Sequence, residues 1–522
     1  MSKNAILKIL LLFAIVASFL LSYKSITGHL LFYYDQTRDA YESYSIWHYH
    51  HLKILGPPSG INGVFHGVLW YYVISLPYFL GNNNPQITAL FFSFLLLLTV
   101  PLIGYLAYSL FLDKEISMVS MLFYVLSPLF QSLTQWVSNP ILGLITIPFL
   151  LILLWKYINN QSNLYALLMG FFLGLTVQAN FAFIFLLFSL VLILYLFHIK
   201  FRLNQLFYFL IGLMIGTSSI WVADIKFHGL ALSGILTFFK SPDLSSSSAS
   251  SAFFSLFDKI VELLSLTIMP FPKLLSLIFL FIIYLSLKKY KFNNSKKAIF
   301  FLILWLSNIV IYQFFNSGAV SSAYIFIPSL GVIAILSSLI LKKIVKNKRL
   351  FFTVILSLFL VQFFTSYNWF KRKYSPLAVQ QGMNYQDEIK LVDYTYNKSQ
   401  GKSFIINSIT NPLYINTTWS YLYEFYGKKR YGYVPFWGGR SQIGYLGNLP
   451  NKSADTKYRF FIIEPPQGID EVYFRRSQLE EDAVSDLIEE KKFGQLAVQM
   501  RLSRQNKTLS PEKAAELKKI SF

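Results

Sequence analysis

From Ile6 to about residue 370 the chain repeats long apolar runs, each enough to cross the roughly 30 Å hydrocarbon core of a bilayer as a helix. Such runs leave few options for folding. In lipid every backbone N–H and C=O must be satisfied within the segment, so helices are the structures that these runs can form. With 54% hydrophobic and only 14% charged residues, the composition agrees with a polytopic α-helical membrane protein. The first run, Ile6 to Ser22, has no small-residue cleavage site and is followed by more runs, so it reads as a retained anchor rather than a removed signal. The chain has no cysteine, which excludes disulfides and thiolate chemistry.

The apolar runs fall at 6–22, 86–112, 116–134, 141–156, 164–180, 182–198, 206–222, 265–287, 298–315, 323–341 and 350–368. A further run at 66–81 has the length of an interfacial or re-entrant helix. If it does not cross and the N-terminus is cytoplasmic, the lysine-rich connectors HIKFRLNQ, KKYKFNNSKK and KKIVKNKR all lie inside, as the positive-inside rule asks. That parity predicts about eleven transmembrane helices. It also accounts for the formal charge of +21 without nucleic acid. The first loop (23–85), a short turn at TQWVSNP, the 223–264 loop and everything after about residue 370 then share the extracytoplasmic side.

Two regions are expected: a transmembrane module over 1–370 and an extracytoplasmic α/β domain with a polar tail over 371–522. In the latter, SFIINSI, YRFFIIEP and FGQLAVQMRLSR read as strands, and NYQDEIKLVDYTYN and SQLEEDAVSDLIEEKKFG as amphipathic helices, the second stopped by its glycine. SRQNKTLSPEKAAELKKISF lacks a core pattern and reads as a partly disordered tail. SSSSASSA at 245–252 is a low-complexity insert.

The polar chemistry concentrates in FYYDQTRDAYESYSIWHYHHLK, residues 32–53. On a helix Asp35, Asp39 and Glu42 share one face, and Arg38 lies three residues from Asp35 and four before Glu42. Repelling carboxylates beside a low-dielectric medium suit proton transfer or cation binding, but a solvated helix face with an Arg–carboxylate pair has the same pattern. The spacing of His48, His50 and His51 keeps them off one helical face, so packing at the interface fits them better than metal ligation. Phosphate-binding glycine loops, zinc spacings and fixed-period repeats are absent.

The succession YYDQTRDAYES, LKILGPPSGINGVFHGVLWYY, LTVPLIGYLAYSLF and SPLFQSLTQWVSNP resembles lipid-linked-sugar glycosyltransferases of the GT-C fold, in the branch of protein O-mannosyltransferases and lipid A aminoarabinose transferases. The resemblance implies a GT-C-like architecture and a catalytic carboxylate at Asp35. Arg38 and Ala40 match the family's Arg-Tyr-Ala run, with Asp39 in place of the aromatic and Gln36 in place of a Glu. His66 matches the family's His-Pro-Pro-Leu segment with the prolines lost, and Asn139 stands where a second-loop Asp is usual. In Tyr324 the family's preceding Arg is missing, which leaves a packing role.

By this resemblance the chain takes a polyprenyl-phosphate sugar within membrane lipid and passes the sugar to an extracytoplasmic acceptor, a protein, lipid or glycan, with inversion. Asp35 is the expected base. Arg38, Asp39, Glu42, His66, Asn139, Lys226, His228 and Lys240 are the expected substrate-binding residues, with Arg38, Lys226 and Lys240 facing the phosphate. No cofactor follows with certainty; a divalent metal is compatible, weakened by Gln36. Two other classes share the sequence features: a flippase or transporter of lipid-linked glycans, and an inactive GT-C-like scaffold.

Overall fold

The computed structural model describes residues 3–240, 249–268, 277–278, 281, 294–314, 323–447, 449–451, 456–504 and 509–520. The chain forms two compact units. The first comprises Met1–Lys24, His51–Ile74 and Thr88–Lys371, and the second Ser25–His50, Ser75–Ile87 and Arg372–Phe522.

Five helices among the described residues are long and apolar enough to cross a membrane: Lys3–His29, Pro85–Phe111, Ile141–Asn159, Ala323–Ile344 and Lys348–Lys371. Two bent pairs, Lys114–Leu126 with Pro128–Thr134 at 52° and Leu203–Gly216 with Ser218–Lys226 at 65°, bring the number to seven. The runs expected at 164–180 and 182–198 are shorter apolar helices, Asn163–Ala179 and Phe181–Leu196. The run at 298–315 is divided into Asn294–Trp305 and Asn308–Phe314, and most of the run at 265–287 lies outside the described residues. The ambiguous segment at 66–81 holds a 12-residue helix, Leu69–Leu80, with Pro77 inside it. By length and composition, then, five to seven spans qualify among the described residues, where about eleven were expected of the chain.

Small residues set the closest packing in the first unit. Gly170 and Gly174 on one helix face Gly212 and Gly216 on another, two small-xxx-small stripes that let the backbones touch. A Cβ on Gly170 would lie 2.0 Å from the Phe209 carbonyl oxygen, and one on Gly212 would lie 1.9 Å from that of Leu167. Neither position has room for a side chain.

The second unit carries a five-stranded sheet: β1 (Phe404–Ile409), β2 (Phe436–Trp437), β3 (Tyr458–Ile463), β4 (Ser485–Phe493) and β5 (Leu496–Ser503), in the order β2-β1-β3-β5-β4. β1 is parallel to β2 and β3, and β5 runs antiparallel to β3 and β4. Buried Phe404, Ile405, Ile406, Phe460, Phe461, Ile462 and Val498 form the strand core. The amphipathic helix expected at 384–397 is Tyr385–Ser399, started by Asn384, whose side chain accepts from the Asp387 amide at 3.1 Å.

One expected helix is corrected. Residues 477–494 do not continue as a single helix: Glu471–Asp482 is helical, and then the chain turns into β4. Gly494, at φ 63°, makes the tight hairpin that pairs Phe493 with Leu496. The run IEEKK has strong helix propensity, but here it lies on an edge strand whose charged side chains face solvent. In the tail, residues 511–520 form a helix, fixed to Glu471–Asp482 by Arg475 to Glu516 and Lys513 to Asp482 at 2.6 Å each.

Candidate active site

Asp35 sits in the first turn of the Tyr34–His48 helix. Tyr33 precedes it in extended backbone, and its amide donates to Oε1 of Gln36 at 3.3 Å, the reciprocal half of a capping box. Gln36 is buried and serves the helix start. Arg38 then joins two carboxylates: Nη1 donates to Asp35 Oδ1 at 2.8 Å, while Nε and Nη2 donate to Asp39 Oδ1 at 3.0 and 2.7 Å. The two carboxylates do not share one environment. The Asp39 side chain is fully buried and that of Arg38 only 8% exposed, whereas that of Asp35 is 39% exposed. Asp39 therefore holds the guanidinium from inside, and Asp35 presents a carboxylate outward beside a fixed positive charge.

The same helix is braced within the second unit. Tyr41 donates to Glu424 at 2.8 Å, Thr37 and Thr418 hydroxyls meet at 3.3 Å, and Tyr41 and Tyr44 pack edge-on against Phe425. Leu30 accepts from the Tyr385 amide at 2.9 Å. Glu42 is half-buried on this helix, while His48, His50 and His51 lie at its exposed C-terminal end and beyond. Reading the sequence alone missed these braces, because each pairs residues more than three hundred positions apart.

Five of the expected residues belong to the first unit. His66 Nδ1 accepts from the Phe181 amide at 2.9 Å, and Asn139 Nδ2 donates to the Ala179 carbonyl at 2.6 Å. The two thus converge on one short segment, 179–181. His66 also lines a small cavity with Asp224, whose carboxylate accepts from the Ala231 amide at 2.7 Å. Lys226, His228 and Lys240 are exposed, Lys226 and Lys240 each at the end of a helix and His228 in a left-handed turn at φ 54°. Tyr324 stacks on Trp136 with ring centroids 6.3 Å apart.

The residues around Asp35 do not fit a divalent ion. Arg38 occupies the space between Asp35 and Asp39, Gln36 is spent on the helix start, and among the described residues no three His, Asp or Glu side chains converge on one point. The charge that a metal would supply there is already carried by Arg38.

Two further acids are buried behind the helix that follows Asn384. Glu464 accepts from the Asn411 amide at 2.9 Å and the Trp419 indole at 3.0 Å, and burial pushes it up to about 7. Glu388 meets no hydrogen-bond donor among the described residues; burial, then the Glu464 and Asp387 carboxyls, hold it well above the usual carboxylate range. Both groups bind protons more tightly folded than unfolded. Their stabilisation is complete below about pH 4.5 and falls as pH rises, for Glu464 through about 7. Over that window Glu464 contributes on the order of 3 kcal/mol. Hydrogen exchange of β1 and β3 in the full chain, corrected for intrinsic rates, should show greater protection at pH 5.5 than at 7.5. Glu464→Gln should flatten that slope, and an unchanged slope would refute the assignment.

No protein-family model matches the chain, and no curated protein matches it in sequence. Among solved structures it is similar to ArnT from Cupriavidus metallidurans bound to undecaprenyl phosphate, with a TM-score of 0.62 and 9% identity over 96% of this chain and 98% of that one. The apo form of the same protein gives a TM-score of 0.58 at 9% identity, over 94% and 97%. Identity this low speaks for architecture alone. The chain has the GT-C fold of multi-pass membrane proteins.

Proposed function

We propose that the chain is a membrane glycosyltransferase that moves a sugar from a polyprenyl-phosphate donor to an extracytoplasmic acceptor. The observation that carries this reading is the half-exposed Asp35 carboxylate held beside the buried Arg38–Asp39 pair, on a chain whose whole length follows a fold in which ArnT has been captured with undecaprenyl phosphate. An acceptor hydroxyl oxygen attacks the anomeric carbon as its proton passes to Asp35. The bond from that carbon to the phosphate oxygen breaks, and the phosphate leaves with the electron pair. A single displacement of this kind inverts the anomeric centre.

In this reading Arg38 offsets the departing phosphate's charge, and Lys226, His228 and Lys240, each exposed, are candidate cationic or donor groups for the donor. His66 and Asn139 shape the 179–181 segment through uncharged hydrogen bonds. Asp39 holds Arg38 in place, and Glu42 remains a candidate donor-binding group on the same helix. A polyprenyl phosphate is tethered to hydrocarbon, so the reaction belongs at the membrane surface. Radiolabelled polyprenyl-phosphate sugars offered to the purified protein with cell-envelope acceptors test the reading: labelled acceptor and free polyprenyl phosphate should appear together.

The lysine distribution supports an extracytoplasmic position for the first loop and the C-terminal domain. In this cysteine-free chain, Asn62→Cys and Ser403→Cys, both at exposed positions, should each react with an impermeant maleimide in intact cells. Labelling of only one would show that the 66–81 segment crosses and would overturn this topology.

A further inference from the structure

The second unit contains a cleft lined by none of the residues assigned above to the transfer. The Asn82–Asn84 turn, Tyr385, Phe425, Tyr426 and Lys429 line it. Two irregularities of the backbone meet here. Asn82 and Asn83 both take left-handed φ angles, 52° and 58°, and the helical stretch Thr417–Tyr431 widens to a π-turn at Leu422–Gly427, the segment that supplies Phe425 and Tyr426. Both kinds of departure concentrate at functional sites.

The cleft is held rigid while its recognition groups are left available. Tyr421 donates to the Asn83 carbonyl at 2.7 Å, and the Asn83 amide donates to Tyr78 at 2.9 Å, which fixes the turn. Tyr426 donates to Asp393 at 3.0 Å and accepts from Arg430 at 2.8 Å, which fixes the ring. Among the described residues, the side-chain amides of Asn82 and Asn83 make no hydrogen bond, and Lys429 makes no ion pair. Neighbouring Arg430, by contrast, is matched by Asp393.

Aromatic rings stack on the C–H faces of a sugar, carboxamides bond its hydroxyls, and an unmatched ammonium selects an anionic substituent. We propose that this cleft binds an anionic saccharide, one carrying a phosphate or a carboxylate. That the saccharide belongs to the acceptor rests on the transferase reading; the binding itself does not. Phe425, which lines the cleft, also packs on Tyr41 and Tyr44 of the Asp35 helix, so a ligand here lies against the catalytic helix's support.

The test uses the purified full-length protein in nanodiscs, with binding followed by saturation-transfer NMR and equilibrium dialysis. Glucose 6-phosphate is compared with glucose, trigalacturonate with maltotriose, and inorganic phosphate is measured alone. At least one charged saccharide should bind about fivefold more tightly than its neutral counterpart, and which one does so separates phosphate from carboxylate recognition. Lys429→Ala, an exposed substitution, should erase that difference without weakening the neutral sugar, and Asn83→Ala should weaken both. Asp35→Asn should bind as wild type does, so a failure of sugar transfer and a failure of this cleft are read separately. The proposal is overturned if no saccharide binds saturably, if inorganic phosphate alone binds as tightly as glucose 6-phosphate, or if Lys429→Ala leaves the charged preference intact.

Discussion

Asp35→Asn is expected to lower sugar transfer from a polyprenyl-phosphate donor by about 10²- to 10⁴-fold while leaving donor binding near wild type. Asparagine keeps the size of the side chain and an oxygen that can still accept from Arg38 Nη1, now at 2.8 Å from Asp35, but it cannot take a proton. Asp39→Asn acts differently. Asp39 is fully buried and accepts two of the Arg38 nitrogens, so its neutralisation leaves a buried guanidinium short of charge. Breaking such a pair costs about 3 to 5 kcal/mol in the cases where it has been measured. The variant should therefore lose stability and transfer only moderately well where it folds. Full activity in Asp35→Asn, with collapse only in a folded Asp39→Asn protein, would move the base one helical turn along.

Gly212→Leu is expected to yield no folded protein. Its Cβ would stand 1.9 Å from the Leu167 carbonyl oxygen and 2.8 Å from the Phe171 amide nitrogen, and backbone atoms of a packed helix cannot swing aside as a side chain can. The two helices would have to separate, and with them the whole contact between the glycine stripes. Gly331→Ala is the matched control, because its Cβ meets the end of the flexible Ile103 side chain. After detergent extraction, Gly331→Ala should elute as a monodisperse peak in near wild-type yield, and Gly212→Leu should be lost to aggregate. A monodisperse Gly212→Leu protein would show that the helices do not touch as described.

The architecture was legible where a local pattern decided it. Apolar length located the helices, β-branched and aromatic runs located β1 and β3, and Asn384 marked the start of its helix. What failed was a contest between propensity and tertiary pairing: the charged run of β4 forms good helix in isolation, but the Gly494 turn folds it onto β5. The count of spans was less legible because bends at Ser127 and Thr217 and a 12-residue helix at Leu69–Leu80 break the simple relation between apolar length and crossing. At the site, helical spacing announced Asp35 with Arg38, yet could not say that Asp39 would be sealed inside while Asp35 stayed accessible. That distinction comes from tertiary packing, which the spacing of the helix does not encode. The cleft at Asn82–Asn84 left no signal at all, since its walls come from three separate stretches.

The central claim is that a polyprenyl phosphate is the donor and that Asp35 faces its reacting end. A structure of the full chain with undecaprenyl phosphate tests it most directly. The account predicts the phosphate within hydrogen-bond reach of the Asp35–Arg38 pair, about 3 Å or one bridging water away, with Arg38 still held by Asp39. A phosphate bound elsewhere, with that pair unchanged and open to solvent, would contradict it.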